Sequence, residues 1–455
     1  MVMKAPNIIL INADDLGYGD LGCFGSPVHR TPNLDRMAAE GVRLTEFYAS
    51  ASVCTPSRAS LMTGCYPGRV SMDRGGVLFP GDAWGLHPDE RTVADVLRDA
   101  GYATKLVGKW HLGDQPEFLP TRHGFDSYFG LPYSNDMVPD LSTMCPHRFP
   151  PLPLMREEGV VETEPDQSTL TDRYLAESMH FIDQSMERER PFFLYLAHLY
   201  VHAPIHAQKR FLMESKNGRY GAAVAHIDAG VGILLDHLER CGAADNTLVI
   251  FTSDNGANNW SGGSNVPLRG HKGTTWEGGF RVPCICRWPA GFPQGTTCTA
   301  VTTMMDIVPT LAALADAEIP DDRIIDGRDI APLLRGETSE SPHDAFYYYC
   351  GGELSAVRSG PWKLHVSRGG KVVRELYNLQ KDEGESLNVY DSNPEIVKKL
   401  EGLMKTCRED IGDTSTENEG RNRRPVGQVE NPEPLTSVDT LDPYLRMMYD
   451  LDEGY

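Results

Sequence analysis

Short apolar runs alternate with helix-length amphipathic segments through the first three quarters of the chain, and this alternation restricts the fold more than any other feature. Residues 7–12, 103–107, 192–197 and 247–252 have the length and apolar content of buried strands. Between them, Thr31 and Pro32 open a helix that Gly41 closes, and residues 92–100 form another ahead of Gly101. Residues 220–240 carry Ala223, Ile227, Val231, Leu234, Leu235 and Leu238 at helical spacing. This alternation predicts an α/β architecture, a large mixed, mostly parallel sheet sandwiched by helices. After about residue 340 the rhythm changes. Residues 345–350, 354–358, 362–366 and 372–377 read as short strands between Gly-rich turns, and 394–407 as a helix. The expected division is a large α/β domain over residues 1–340, a smaller C-terminal domain over 341–411 with an antiparallel sheet plus helix, and an extended surface tail over 412–455, polar and rich in Asn, Glu and Pro.

Composition then separates function classes. The 455 residues are 40% hydrophobic and 24% charged, ordinary values for a chain that buries a substantial core. Lys and Arg number 43 against 64 Asp and Glu, a net charge of −21 that repels phosphate backbones and argues against a nucleic-acid partner. An anionic substrate would therefore require a local cluster of cations. No apolar stretch approaches the roughly 18–20 residues of a membrane span. Residues 1–6 run straight into the first strand and leave no room for a signal peptide. A cytoplasmic protein, and a periplasmic, secreted or lumenal one whose leader has been removed, both remain open. The ten cysteines include no Cys-x-x-Cys pair, so a zinc ribbon or thioredoxin-type motif is not supported. Cys284 and Cys286 are expected on one strand face as small core residues. Asn259-Trp260-Ser261 forms a glycosylation sequon, expected here by chance.

Four polar clusters fall at the C-terminal ends of the expected strands: Asp14/Asp15, Lys109/His111, His202 and Asp254/Asn255. In open α/β sheets ligands bind along that edge. Asp14 and Asp15 would face opposite ways in a continuing strand, so Gly17 is expected to turn the chain and let both reach one ion. His111 is expected on the same side of an extended segment as Lys109. The segment from Cys54 to Gly64, Cys-Thr-Pro-Ser-Arg-Ala-Ser-Leu-Met-Thr-Gly, reads as a short helix with Cys54 at its N-terminus, an end that favours anions. Arg58 lies four residues on, on the same face.

This segment resembles the signature of the formylglycine-dependent (type I) sulfatase family of the alkaline-phosphatase-like superfamily, in which the Cys is oxidised after translation to an aldehyde. Asn12-Ala13-Asp14-Asp15-Leu16-Gly17, Gly108-Lys109-Trp110-His111, Pro132-Tyr133-Ser134, His202-Ala203-Pro204, Ser253-Asp254-Asn255-Gly256 and Gly270-His271-Lys272-Gly273 are similar to family blocks in the same order. The likeness is closest to the arylsulfatase A and N-acetylgalactosamine-6-sulfatase branches. The resemblance implies that Asp14, Asp15, Asp254 and Asn255 bind calcium, with magnesium as the alternative, an all-oxygen set suited to a hard cation. It implies a formylglycine hydrate derived from Cys54 as nucleophile and further metal ligand. Arg58 and Lys109 would hold that hydrate, with His111 as its partner and base. His202 and Lys272 would face the leaving-group oxygen, and Ser134 would contact the sulfate or the hydrate.

Two hydroxyls on one carbon explain the need for the aldehyde: one attacks sulfur, and loss of the other's proton expels the sulfate. The expected function is hydrolysis of a sulfate monoester, on a sulfated carbohydrate or a small ester, after Cys54 has met a formylglycine-generating maturation enzyme. The rival expectations are a phosphomonoester or phosphonate hydrolase of the same superfamily, and a silent sulfated-sugar-binding protein with Cys54 unmodified.

Overall fold

The strand Asn7–Ala13 is buried from Ile8 onward, Ile8 and Leu10 facing one apolar cluster and Ile9 and Ile11 another. That two-sided burial marks an interior strand of a sheet covered on both faces. In the computed structural model, which describes residues 5–73, 75–139 and 149–436, this strand lies at the centre of the main sheet. It pairs in parallel with Phe192–Ala197 on one side and Thr247–Ser253 on the other. Ala103–Gly108 and then Ser127–Gly130 continue the parallel run. Arg281–Arg287 joins antiparallel beyond Thr247–Ser253 and is followed by Val42–Tyr48, while Pro153–Arg156 and Gly159–Thr163 close the opposite edge antiparallel. The sheet is thus mixed and mostly parallel, as the alternation implied.

Local sequence explains the covering helices. Pro32 occupies the first turn of Pro32–Ala39, and Thr92 caps Val93–Asp99 reciprocally with Asp95. Gly218–Arg240 lays its Ile227, Val231, Leu234 and Leu238 on the sheet. Cys284 and Cys286 share one face of Arg281–Arg287, with Ile285 in the opposite cluster. Among the described residues no helix is long and apolar enough to cross a membrane.

The C-terminal strands Phe346–Cys350, Glu353–Ser359, Trp362–Arg368 and Lys371–Asn378 form one antiparallel sheet in sequence order, with Pro394–Asp410 against it. Residues 437–455 of the expected tail lie outside the described residues. Its described part, 412–436, is more firmly attached than polarity suggested. Arg423 pairs with Asp73 at 2.6 Å and Arg424 with Glu90 at 2.6 Å, and Gly427–Gln428 pairs with Trp84–Gly85. Charge complementarity with the buried acids Asp73 and Glu90 supplies what apolar content lacks.

Candidate active site

Five parallel strands end at one edge of the sheet, and each is followed by a residue of the site. Asp14 follows Asn7–Ala13, Lys109 follows Ala103–Gly108 and Asp254 follows Thr247–Ser253; Ser134 and His202 lie four and five residues past Ser127–Gly130 and Phe192–Ala197. Beneath them sits the helix Cys54–Thr63, every residue of it buried.

Asp14 is central. Its Oδ2 lies 2.6 Å from Lys109 Nζ and 3.5 Å from Arg58 Nη2, and its Oδ1 accepts the Cys54 thiol at 3.4 Å. Asp15 takes the Lys272 ammonium at 2.7 Å, with His202 Nε2 at 3.8 Å. Arg58 Nη2 lies 2.8 Å from Asp254 Oδ2 and its Nε donates there at 2.9 Å. Asn255 donates to Asp15 Oδ1 at 2.8 Å. Lys272 Nζ is also 3.5 Å from Cys54 Sγ, and Lys109 Nζ is 3.3 Å from Ser134 Oγ. One donor atom each from Asp14, Asp15, Cys54 and His202 falls within 4.8 Å of the others.

The backbone achieves this differently from the sequence expectation. Asp15 itself turns the chain, in the left-handed region at φ 64°, while Gly17 is extended at φ −76°. Asp tolerates that region better than most side chains. Gly17 is needed for proximity instead, since a Cβ there would stand 2.2 Å from the Ser264 carbonyl oxygen. His111 also has φ 64°, so the segment Lys109–His111 is not extended, although its side chain is buried beside the site. Arg58 donates to Asp254 and the Lys109 carbonyl and lies 3.5 Å from Asp14.

Burial opposes charge on every one of these groups, and the partners decide the outcome. For Asp14 burial is outweighed by Lys109, then His202 and Arg58, and the carboxyl stays far below its usual range. Lys272 does the same for Asp15 and is itself held firmly charged by it. At Asp254 burial, reinforced by repulsion from Asp14, outweighs Arg58 and pushes the carboxyl up to about 6. Burial and then Asp14 push the Cys54 thiol well up, so it is not a thiolate. Burial lowers His111, helped by Lys109, and lowers His202, helped by Lys272. Among the buried site atoms without a hydrogen-bond partner in the described residues are the acceptors Asn255 Oδ1, His111 Nδ1 and His202 Nδ1.

The eleven residues expected from sequence converge on this edge. Two were missed. Asn258 points Nδ2 at Asp15 Oδ2 at 3.4 Å, and Thr55 donates to the His111 carbonyl at 3.1 Å. Their proximity to Asn255 and Cys54 in the chain was the available signal. Among the three neighbouring histidines only His202 joins the cluster; His198 is buried with both ring nitrogens unpartnered among the described residues.

Comparison with known proteins gives a consistent picture. The family model described as Sulfatase matches residues 6–317, and a model described as N-sulphoglucosamine sulphohydrolase, C-terminal, matches residues 271–410. Human arylsulfatase A is 39% identical over 448 residues, covering 89% of this chain and 88% of that protein. Dog N-acetylgalactosamine-6-sulfatase is 41% identical over 379 residues, covering 80% and 72%. The crystal structure of Ps i-CgsB in complex with k-i-k-neocarrahexaose superposes with a TM-score of 0.81 at 30% identity, covering 99% of each chain.

Proposed function

Because the chain belongs to the sulfatase family, whose members are sulfuric ester hydrolases of alkaline-phosphatase-like fold, we propose that it hydrolyses a sulfate monoester of a carbohydrate, using formylglycine made from Cys54 and a calcium ion. The observation that carries the site assignment is the convergence of Asp14, Asp15, Lys109 and Lys272 on Cys54 at the start of a buried helix.

The residues fit both implied groups. Asp14, Asp15, Asp254 and Asn255 can each present an oxygen, and the buried Asn255 Oδ1 has no other partner among the described residues. Cys54 is a poor attacking group as it stands, since its proton is retained and its thiol is committed to Asp14. Cys54 is only 2% exposed, so the maturation enzyme must meet this segment before the fold closes. The cation supplies charge stabilisation, and the aldehyde hydrate supplies an attacking hydroxyl and a second one whose deprotonation releases sulfate.

The chain's own side chains do the rest. Arg58, Lys109 and Lys272 offset the three carboxylates, so a bound cation would leave the site net positive on a protein of strongly negative net charge. Lys109 and Ser134 on one side, and Lys272 on the other, orient the anionic oxygens. His111 Nε2 faces the Leu78 carbonyl at 3.0 Å, so Nε2 carries the proton and Nδ1 is the free acceptor for a hydroxyl proton. His202 and Lys272, both beside Asp15, form the side from which the departing alcohol oxygen is protonated.

Mass spectrometry of the tryptic peptide containing residue 54, paired with turnover of p-nitrophenyl sulfate and phosphate, tests this reading. Formylglycine at 54 and a preference for sulfate are expected. Matured protein that prefers phosphate or phosphonate esters overturns it, and an intact thiol that binds sulfated sugars without turnover leaves a binding protein. A panel of defined sulfated saccharides then identifies the sugar.

A further inference from the structure

Lys272 is carried by a long connection. Between Thr247–Ser253 and the short helix Glu277–Phe280 no helix or strand forms. The Lys272 N–H donates to the Ala257 carbonyl at 3.0 Å, the Lys272 carbonyl meets His271 Nδ1 at 2.8 Å, and the next N–H, of Gly273, donates to the Ser52 carbonyl at 2.9 Å. The stronger anchorage lies four and five residues on, at Trp276 and Glu277, and comes from the C-terminal sheet.

Glu277 is fully buried. Its carboxylate accepts hydrogen bonds from Lys363 at 2.9 Å, from Tyr348 at 2.8 Å and from Tyr48, and its N–H donates to Glu385 Oε2 at 2.8 Å. Lys363 Nζ lies 3.0 Å from Glu385 Oε1, which His365 Nε2 also meets at 2.9 Å. Lys363, His365 and Glu385 are all buried. The Trp276 ring has Arg269 over it at 3.8 Å and Arg368 at 3.9 Å, with the His365 ring at 4.8 Å. Arg269 in turn donates to the Glu385 carbonyl at 2.7 Å.

A buried ion cluster is weak as a source of stability, because well-packed apolar residues of equal volume do as well. Its advantage is in fixing one arrangement. The match to the C-terminal family model begins at residue 271, so the Lys272 loop and the C-terminal sheet fall within one sequence unit.

We propose that the C-terminal sheet sets the position of the Lys272 ammonium through the buried Glu277–Lys363–Glu385 cluster, which makes Lys363 and Glu385 positioning residues for the reaction. The inference rests on the reading of Lys272 as a leaving-group residue, and the test separates the two. Hydrogen exchange is measured on the segment 269–276 in matured wild type, Glu385→Gln and Lys363→Met. Alongside, kcat and KM are measured on p-nitrophenyl sulfate and galactose 6-sulfate, in the presence and absence of Lys272→Ala.

Faster exchange at 269–276, with the helix Gly218–Arg240 unchanged, is expected. With it, kcat on the sugar sulfate should fall on the order of 10- to 100-fold, and less on the aryl ester, whose leaving group needs no proton. In the Lys272→Ala background Glu385→Gln should add little further loss. Unchanged protection of the loop, or full additivity with Lys272→Ala, overturns the inference. If Lys363→Met does not fold, the milder Glu385→Gln, which keeps an acceptor for the Glu277 N–H, decides alone. A loosened loop combined with a Lys272→Ala variant that treats both esters alike supports loop positioning and refutes only the leaving-group role of Lys272.

Discussion

Around Cys54, Asp14, Asp15 and Asp254 meet Arg58, Lys109 and Lys272; some 23 residues past Asp254, Glu277 meets Lys363, Arg358 and, through Glu385, His365. The first group is open to solvent at Lys272 and His202, the second is sealed, and they satisfy their polar atoms differently. The first leaves Asn255 Oδ1, His111 Nδ1 and His202 Nδ1 without partners and drives Asp14 and Asp254 in opposite directions. In the second, Glu277 accepts three hydrogen bonds and is held down at about 2, burial being outweighed by Lys363 and Arg358, and the open atom is the His365 Nδ1, turned away from the carboxylates by the Nε2 contact to Glu385. Open acceptors on and beside the carboxylates of the first group leave room for a ligand, while the carboxylates of the second are saturated by the side chains they join.

That contrast can be broken most severely at Cys54. Cys54→Ala should lower kcat by a factor on the order of 10⁴ to 10⁶ with little change in Tm, measured with p-nitrophenyl sulfate and by thermal melting. The opposite pattern is expected at the joint. Lys363→Met strands the buried Glu277 and Glu385 and should cost about 3–5 kcal/mol of stability by urea unfolding. Adding Glu277→Gln should recover part of that loss.

Calcium sharpens the comparison. At a hundredfold excess over its Kd it should stabilise the wild type by about 2.7 kcal/mol, reversed by chelator. Asp15→Ala should abolish the response, and Glu385→Gln should retain it. A response that survives Asp15→Ala would place the cation elsewhere.

The smallest effect concerns acid. Burial holds His365 and His123 down to about 4, the first despite Glu385. Both bind protons more readily unfolded, so their contribution is present above pH 6.5 and is lost as the pH falls towards 4. Their share of the stability should therefore rise with pH across that window, against the opposite slope of Asp254, and His365→Gln should remove one proton's share of the rise.

Much of this was legible beforehand because local patterns carry it. The runs at 7–12, 103–107, 192–197 and 247–252 lie within observed strands, since strands buried on both faces must be apolar throughout. Ser127–Gly130, at four residues, and the alternating Val42–Tyr48 gave weaker signals and were passed over. The site residues were readable as blocks because strand ends and a helix start impose order on sequence. Their pairings, such as that of Arg58 with Asp254 and Asp14, were not readable.

The sequence by itself therefore determined the sheet, the family and which side chains stand at the strand ends, all of which depend on local spacing and residue chemistry. Tertiary structure alone decided that Asp15 turns the chain, that His202 and not His198 reaches the acids, and that a sheet about ninety residues downstream grips the loop of Lys272. Those outcomes depend on which distant side chains share a water-free space, and no linear spacing encodes that.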